Sequence, residues 1–291
     1  MQNNIRLGIW LMSATAFVFA VQDGISRHLA GEYNVLMIVM IRYWFFAAFV
    51  IALAIRQTRS LRKAAATDQP FLQITRGLLL AAEICIMVLG FVMLGLVESH
   101  AIFACYPLMV AALSGPILGE VVGWRRWAAI GVGFVGVIVI LQPGFGVFSP
   151  FALLPMTSAV LFAIYGLLTR FAARRDSAIT SFFWTGTVGA VAMTIVGLWA
   201  WEPMIASDWW WMIALCITGV TGHFLLIKTY EVAEASSVQP FAYLQLVFAT
   251  LIGITVFGET LTSNVLIGGT IVVAAGLFAL LRSRAVTRQG G

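Results

Sequence analysis

The chain has 291 residues, 61% of them apolar or aromatic and only 10% charged, where soluble domains carry about a quarter charged residues. With 21 Phe and 10 Trp it holds more apolar side chain than one water-facing domain can hide, so a soluble enzyme is excluded and the solvent is lipid. The formal net charge of +5 does not indicate nucleic acid, because the basic residues sit in short gaps between apolar runs, where loop charges set membrane orientation.

Crossing about 30 Å of hydrocarbon takes about 20 apolar residues. Ten runs fit: 7–26, 35–55, 71–97, 101–119, 127–141, 151–171, 179–201, 209–230, 236–257 and 265–281. The first reads as a spanning helix rather than a signal peptide, because its apolar stretch is long and nine further spans follow it. The loops between runs are short, so the chain is expected to form one membrane domain. Of the 17 basic residues, fifteen, from Arg6 to Arg288, fall on one side, Arg27 falls on the other and Arg42 lies within the second span. The positive-inside rule then puts both termini in the cytoplasm, and Trp199, Trp201, Trp209, Trp210 and Trp211 form an aromatic belt at the outer interface. Cys85, Cys105 and Cys216 lie inside apolar runs and read as packing residues.

In the third span Arg76, Leu80, Glu83, Met87 and Gly90 follow at steps of three and four and share a helical face. Holding Glu83 charged at a helix centre costs about 2.5–3.5 kcal/mol on insertion scales, so it must face a cavity or a partner. A proton or amine site and a structural hydrogen-bonding anchor both satisfy that requirement. The fourth span carries Tyr106 and Pro107, and the ninth Gln239, Pro240, Tyr243 and Gln245. A proline inside a span frees a carbonyl that neighbours or water must satisfy; Pro107 reads equally as a binding-site break or a plain kink, and Pro240, near its helix start, reads as a kink. In the fifth span Gly131-Val132-Gly133-Phe134-Val135-Gly136 matches the dinucleotide fingerprint letter for letter, but Arg125-Arg126 precedes it and the next acid is Asp176, so the strand, helix and ribose-binding acid of that motif are missing. Close helix packing explains these glycines, and is the reading also for Gly115, Gly119 and Gly123. Ser158, Phe162, Tyr165 and Thr169 form a polar and aromatic face in the sixth span, and His223 is central in the eighth. His28, His100 and His223 lie in different segments, so no metal site is expected. The candidate substrate-binding residues are Glu83, Met87, Tyr106, Phe162, Tyr165, His223, Tyr243 and Gln245; no catalytic set, metal or cofactor is expected.

The two halves echo one another. Phe19-Ala20 is followed by Arg27 as Phe162-Ala163 is by Arg170, and Gly119-Glu120 recurs as Gly258-Glu259. Five spans per half invert the second copy, giving an all-α membrane protein of ten transmembrane helices in two inverted five-helix repeats, residues 1–144 and 145–291. These motifs, with Pro107 thirteen residues before Glu120, Arg42 inside span two and the Gly-rich fifth and tenth spans, resemble the drug/metabolite transporter superfamily and within it the ten-helix EamA-type transporters. Among these the chain looks most like YddG-type amino-acid exporters. The resemblance implies a secondary transporter of the bacterial inner membrane that moves small amphipathic metabolites, most of all apolar or aromatic amino acids, outward by alternating access.

A membrane-embedded enzyme would need a clustered nucleophile, carboxylate pair or metal set, and a channel a filter sequence or charged rings; neither pattern is present. An exporter of cationic aromatic drugs or another metabolite, and a channel-like facilitator, remain alternatives. The expected partners are a small-molecule substrate and the lipid bilayer, with no nucleic acid and the oligomeric state left open. Polyanions are disfavoured, because outside Glu83, Arg42 and His223 the span centres carry almost no charge, whereas phosphate recognition recruits several basic side chains.

Overall fold

The computed structural model of the chain describes residues 4–119, 123–142, 149–233, 238 and 241–289. Glu120, Gln239 and Pro240 lie outside these described residues. The helices are α1 (Ile5–Glu32), α2 (Val35–Thr58), α3 (Leu61–Ala65), α4 (Pro70–Leu94), α5 (Leu96–Phe103), α6 (Tyr106–Leu118), α7 (Trp124–Leu141), α8 (Leu153–Ala172), α9 (Ala178–Gly197), α10 (Asp208–Val232), α11 (Leu244–Phe257) and α12 (Ser263–Gln289), and no strand occurs among the described residues. Six helices are long and apolar enough to cross a membrane unaided, and four shorter apolar stretches, Leu96–Val110, Trp127–Leu141, Leu244–Phe257 and Ser263–Phe278, complete the set of ten.

The long helices start where the sequence supplies caps. Asn4 Oδ1 accepts from the Leu7 amide at 3.1 Å, Asn34 Oδ1 from the Leu36 amide at 2.9 Å, and Ser177 Oγ from the Thr180 amide at 3.1 Å, each satisfying a donor that the helix itself leaves open. Pro70 occupies the first turn of α4, where its missing N–H costs nothing. Large apolar side chains stay on the outside of the bundle, as Val191, Ile195, Leu251 and Ile254 illustrate. In lipid these are solvated groups, whereas in water they would form a patch no monomer tolerates.

Three expected spans differ from what forms. The third is expected to run from 71 to 97, but α4 stops at Leu94 because Gly95 adopts φ 94°, a left-handed conformation that only glycine enters without strain. The fourth is expected to be one helix over 101–119 and is instead two, α5 and α6, separated by a turn at Ala104–Cys105. Pro107 lies in the first turn of α6 and so follows the break rather than kinking a continuous helix. A comparable turn at Tyr243 precedes α11. The backbone amides freed at the start of α5 have a dedicated partner: Glu259 accepts from the Leu96 and Val97 amides at 2.9 and 2.7 Å and also pairs with Arg27. Arg27 in turn lies over the Phe257 ring at 4.1 Å. The negative carboxylate at a helix N-terminus complements the partial positive charge there.

The glycines divide. Gly133 packs on Leu108, and Gly136 faces Gly268 across the α7–α12 contact, as the packing reading requires. Gly119 and Gly123 do not serve that role: Gly119 follows the end of α6 at φ 75°, Gly123 precedes α7, and both have open space where a side chain would go.

The main helix contacts pair α1 with α10, α2 with α9, α4 with α8 and α9, α7 with α12, and α11 with both α1 and α5. Each pair takes one member from residues 5–141 and one from 153–289. The interior is therefore lined jointly by the two halves of the chain. Because Glu259 satisfies two orphan amides and a guanidinium at once, Glu259→Gln is expected to destabilise the fold by about 1–3 kcal/mol, the cost of unsatisfied buried groups. A lowered thermal midpoint in detergent is the expected reading; a midpoint equal to the parent's would show that neighbouring groups hold α5 without it.

Candidate functional site

Phe19, Gln22 and Asp23 follow at steps of three and one on α1 and face inward, with Gln22 and Asp23 buried. Opposite them on α2 stands Arg42, 5% exposed. Its Nη2 donates to Gln22 Oε1 at 3.2 Å, and among the described residues it forms no ion pair. Room for the guanidinium comes from α10, where a side-chain carbon at Gly219 would lie 2.8 Å from Arg42 Nε. The Gln22 amide nitrogen is 3.4 Å from Asp23 Oδ1. One neutral side chain thus stands between a buried cation and a buried anion that do not meet directly.

Asp23 gathers further groups from two other helices. Gln245 Nε2, on α11, donates to Asp23 Oδ2 at 3.0 Å. His100 Nε2, on α5, is 3.3 Å from the same oxygen in a geometry too poor for a hydrogen bond. The His100 ring stacks on Phe91 at 5.3 Å and meets Phe103 edge-on at 6.4 Å. On α4, Glu83 accepts a hydrogen bond from Ser158 Oγ of α8 at 2.6 Å. His223 of α10 stacks on Phe46 at 5.7 Å and meets Phe19 edge-on at 5.2 Å.

These groups surround a narrow cavity with about 50 Å³ of room for water-sized molecules, lined by side chains from α1, α2, α4, α5, α8, α10 and α11. Seven of its fourteen lining residues are polar or ionisable, and Phe91, Phe103 and Phe162 are among the apolar and aromatic remainder. A second, smaller cavity adjoins it, sharing Phe19, Phe162 and Gln245 and adding Met12, Thr15 and Tyr106.

Of the eight candidate residues, Glu83, Met87, Phe162, His223 and Gln245 line the larger cavity, and Tyr106 lines the smaller. Tyr165 and Tyr243 line neither. Tyr243 is buried against Gly276 with its hydroxyl unpartnered. Tyr165 lies beside Arg76, whose Cζ is 5.4 Å from the ring centre. Arg76 shares the α4 face of Glu83 yet belongs to a separate network: it donates to Gln73 and, at 3.0 Å, to Thr169, while Gln73 donates to Asp176 at 2.7 Å. Gln22, Asp23, Arg42 and His100 are the polar cavity residues that the candidate set lacks. Asp23 lies three residues before the expected end of the first span at residue 26, where a charge needs no buried partner, whereas α1 continues to Glu32. No group of three or more His, Cys, Asp or Glu with metal-binding geometry occurs among the described residues.

Comparison with known proteins gives a consistent picture. The EamA-like transporter family matches residues 6–142 and again 150–281. The chain is similar to an S-adenosylmethionine uptake transporter of Rickettsia bellii, 26% identical over 95% of this chain and 94% of that one. It is similar also to riboflavin transporters of Vibrio cholerae, 25% identical over 93% and 91% of the two chains, and of Rhizobium johnstonii, 29% identical over 74% and 71%. A protein of known crystal structure superposes with a TM-score of 0.65 at 17% identity, covering 98% of this chain and 99% of that one, a likeness of fold.

A cavity lined by charged and amide side chains is expected to hold water. With the three native cysteines replaced, Met87→Cys is expected to react with a small methanethiosulfonate several times faster than Leu80→Cys, which sits on the same helix face but lines neither of these two cavities. Equal protection of both would mean that the cavity is closed to water.

Proposed function

The chain belongs to the EamA-like transporter family, and from that premise we propose that it carries a small amphipathic metabolite with an amino-acid head and an apolar or aromatic remainder across the bacterial inner membrane. The observation that carries this reading is the separation of Arg42 from Asp23 by the single amide of Gln22. Buried opposite charges gain most by pairing directly, and each left apart pays a large desolvation cost. Held one amide apart inside a cavity, they match a carboxylate and an ammonium borne on one carbon. The aromatic walls then take the remainder, and the ammonium gains from ring faces as well.

The two halves, residues 1–144 and 145–291, are read as inverted repeats that rock about the cavity and open it to each side in turn. The duplicated Phe-Ala…Arg and Gly-Glu motifs and the pairing of helices from opposite halves support that reading. Both termini are assigned to the cytoplasm on the basic-residue asymmetry. The resemblance to amino-acid exporters favours outward movement, and the relatives named for uptake favour inward movement. An alternating-access carrier runs either way with the gradient, so direction is set by conditions in the cell.

Two experiments test this. In proteoliposomes of the purified protein, counterflow with a panel of apolar and aromatic amino acids, S-adenosylmethionine, riboflavin and cationic aromatic drugs should be saturable and greatest for substrates bearing a free amino-acid head; movement of riboflavin or drugs alone would overturn the amino-acid reading. For topology, single cysteines at Arg62 and Ser207 should label from inside and outside the cell respectively, and the reverse pattern would invert the assignment.

A further inference from the structure

The charges that face the central cavity do not cancel. One guanidinium, Arg42, lines it, and so do two carboxylates, Asp23 and Glu83. The two imidazoles nearby sit among aromatic rings, His223 between Phe19 and Phe46 and His100 against Phe91; His100 Nε2 also lies 3.3 Å from Asp23 Oδ2, so a proton on it would serve Asp23 and leave Glu83 without a countercharge. Asp23 shares the Arg42 side of the cavity through Gln22 and is further served by Gln245. Glu83 is different. It is 4% exposed on another helix, and its hydrogen-bond partner is the Ser158 hydroxyl. Among the described residues no basic side chain pairs with it.

We propose, resting on the amino-acid reading above, that Glu83 selects substrates carrying a second cationic centre beyond the α-ammonium. In this arrangement Arg42 takes the carboxylate, Asp23 the ammonium, and Glu83 a cation on the side chain, such as a sulfonium, so that the bound substrate has one more positive than negative charge and the cavity becomes neutral. The surroundings of Glu83 suit a diffuse, weakly hydrated cation better than a compact one. Met87 lies one turn further along the same face of α4 and Phe162 one turn beyond Ser158 on α8, and both line the cavity. A thioether is soft and polarisable, and an aromatic face attracts cations whose hydration shell is easily shed. A substrate with a neutral side chain would leave the Glu83 carboxylate buried with no countercharge, which binding energy must then offset.

Matched pairs of sulfonium and thioether amino acids differ by one methyl group and one charge, and so isolate this effect. Counterflow inhibition by S-methylmethionine against methionine, and by S-adenosylmethionine against S-adenosylhomocysteine, would be measured with the full-length protein in liposomes. The sulfonium member is expected to be favoured at least tenfold in each pair that binds. Glu83→Gln should bring the preference to within about twofold, while Arg42→Gln should weaken both members alike. The wild-type preference requires no variant, so a folding defect in Glu83→Gln does not blunt the test. Equal potency of the two members in the wild-type protein, or a preference that survives Glu83→Gln, overturns the proposal and leaves the amino-acid reading standing. Failure of all four compounds, with another class transported, removes the amino-acid reading itself and the proposal with it.

Discussion

A charged side chain inside a lipid-embedded helix must find a partner or a polar cavity, and this one constraint organises the molecule. Three such groups, Asp23, Arg42 and Glu83, sit on α1, α2 and α4. Each costs about 2.5–3.5 kcal/mol to bury at a helix centre, a sum comparable to the net stability of a domain. The offset comes from neutral donors and acceptors: Gln22 for Arg42, Gln245 for Asp23, and Ser158 for Glu83. Two of those three partners come from the second half of the chain. The polar contacts that make the charges tolerable therefore also hold the halves together around the cavity. Direct pairing of Arg42 with Asp23 would satisfy both groups with less machinery, and the proposed substrate recognition rests on their separation.

The broken helices follow from the same need. A continuous span presents only side chains to the interior, whereas interruptions at Gly95, Ala104–Cys105 and Tyr243 bring polar backbone and short helix ends to membrane depth. Non-helical backbone survives there only when buried in protein or lining a cavity. Glu259 shows how one end is satisfied, closing the start of α5 with a carboxylate that is itself neutralised by Arg27. The break between α5 and α6 puts His100 and Phe103 beside the larger cavity and Tyr106 beside the smaller. Small residues at the helix contacts allow the approach that this geometry demands; Gly219 admits Arg42, and Gly136 and Gly268 bring α7 and α12 together.

The ten apolar runs were legible because burial in lipid imposes a length and a composition that few other environments require. Glu83, Met87, Phe162, His223 and Gln245 were legible as unusual polar or aromatic groups on inward helix faces. Asp23 was not, and the reason is geometric. An apolar run judged to end at residue 26 puts Asp23 at the interface, but α1 continues to Glu32, so Asp23 lies about 13 Å inside its end at 1.5 Å per residue. The interruption at Gly95 escaped because a single glycine within an apolar run reads equally as helix packing, and only the backbone reveals the positive φ. Tyr165 and Tyr243 illustrate the opposite error, since a hydroxyl in a span predicts polarity but not the direction the ring takes. Their destinations, beside Arg76 and against Gly276, depend on helix rotation that periodicity fixes only to within a residue.

The central claim is that Arg42 and Asp23 are held apart for a ligand whose own charges occupy the space between them. The most direct measurement is an experimental structure of the protein with a transported amino-acid substrate bound. The account predicts the substrate carboxylate on the Arg42 guanidinium and its ammonium on Asp23, with the Gln22 bridge opened and the apolar portion against Phe91, Phe103 or Phe162. A ligand seated elsewhere, with the Arg42–Gln22–Asp23 arrangement intact, would contradict it and reduce these charges to a structural role.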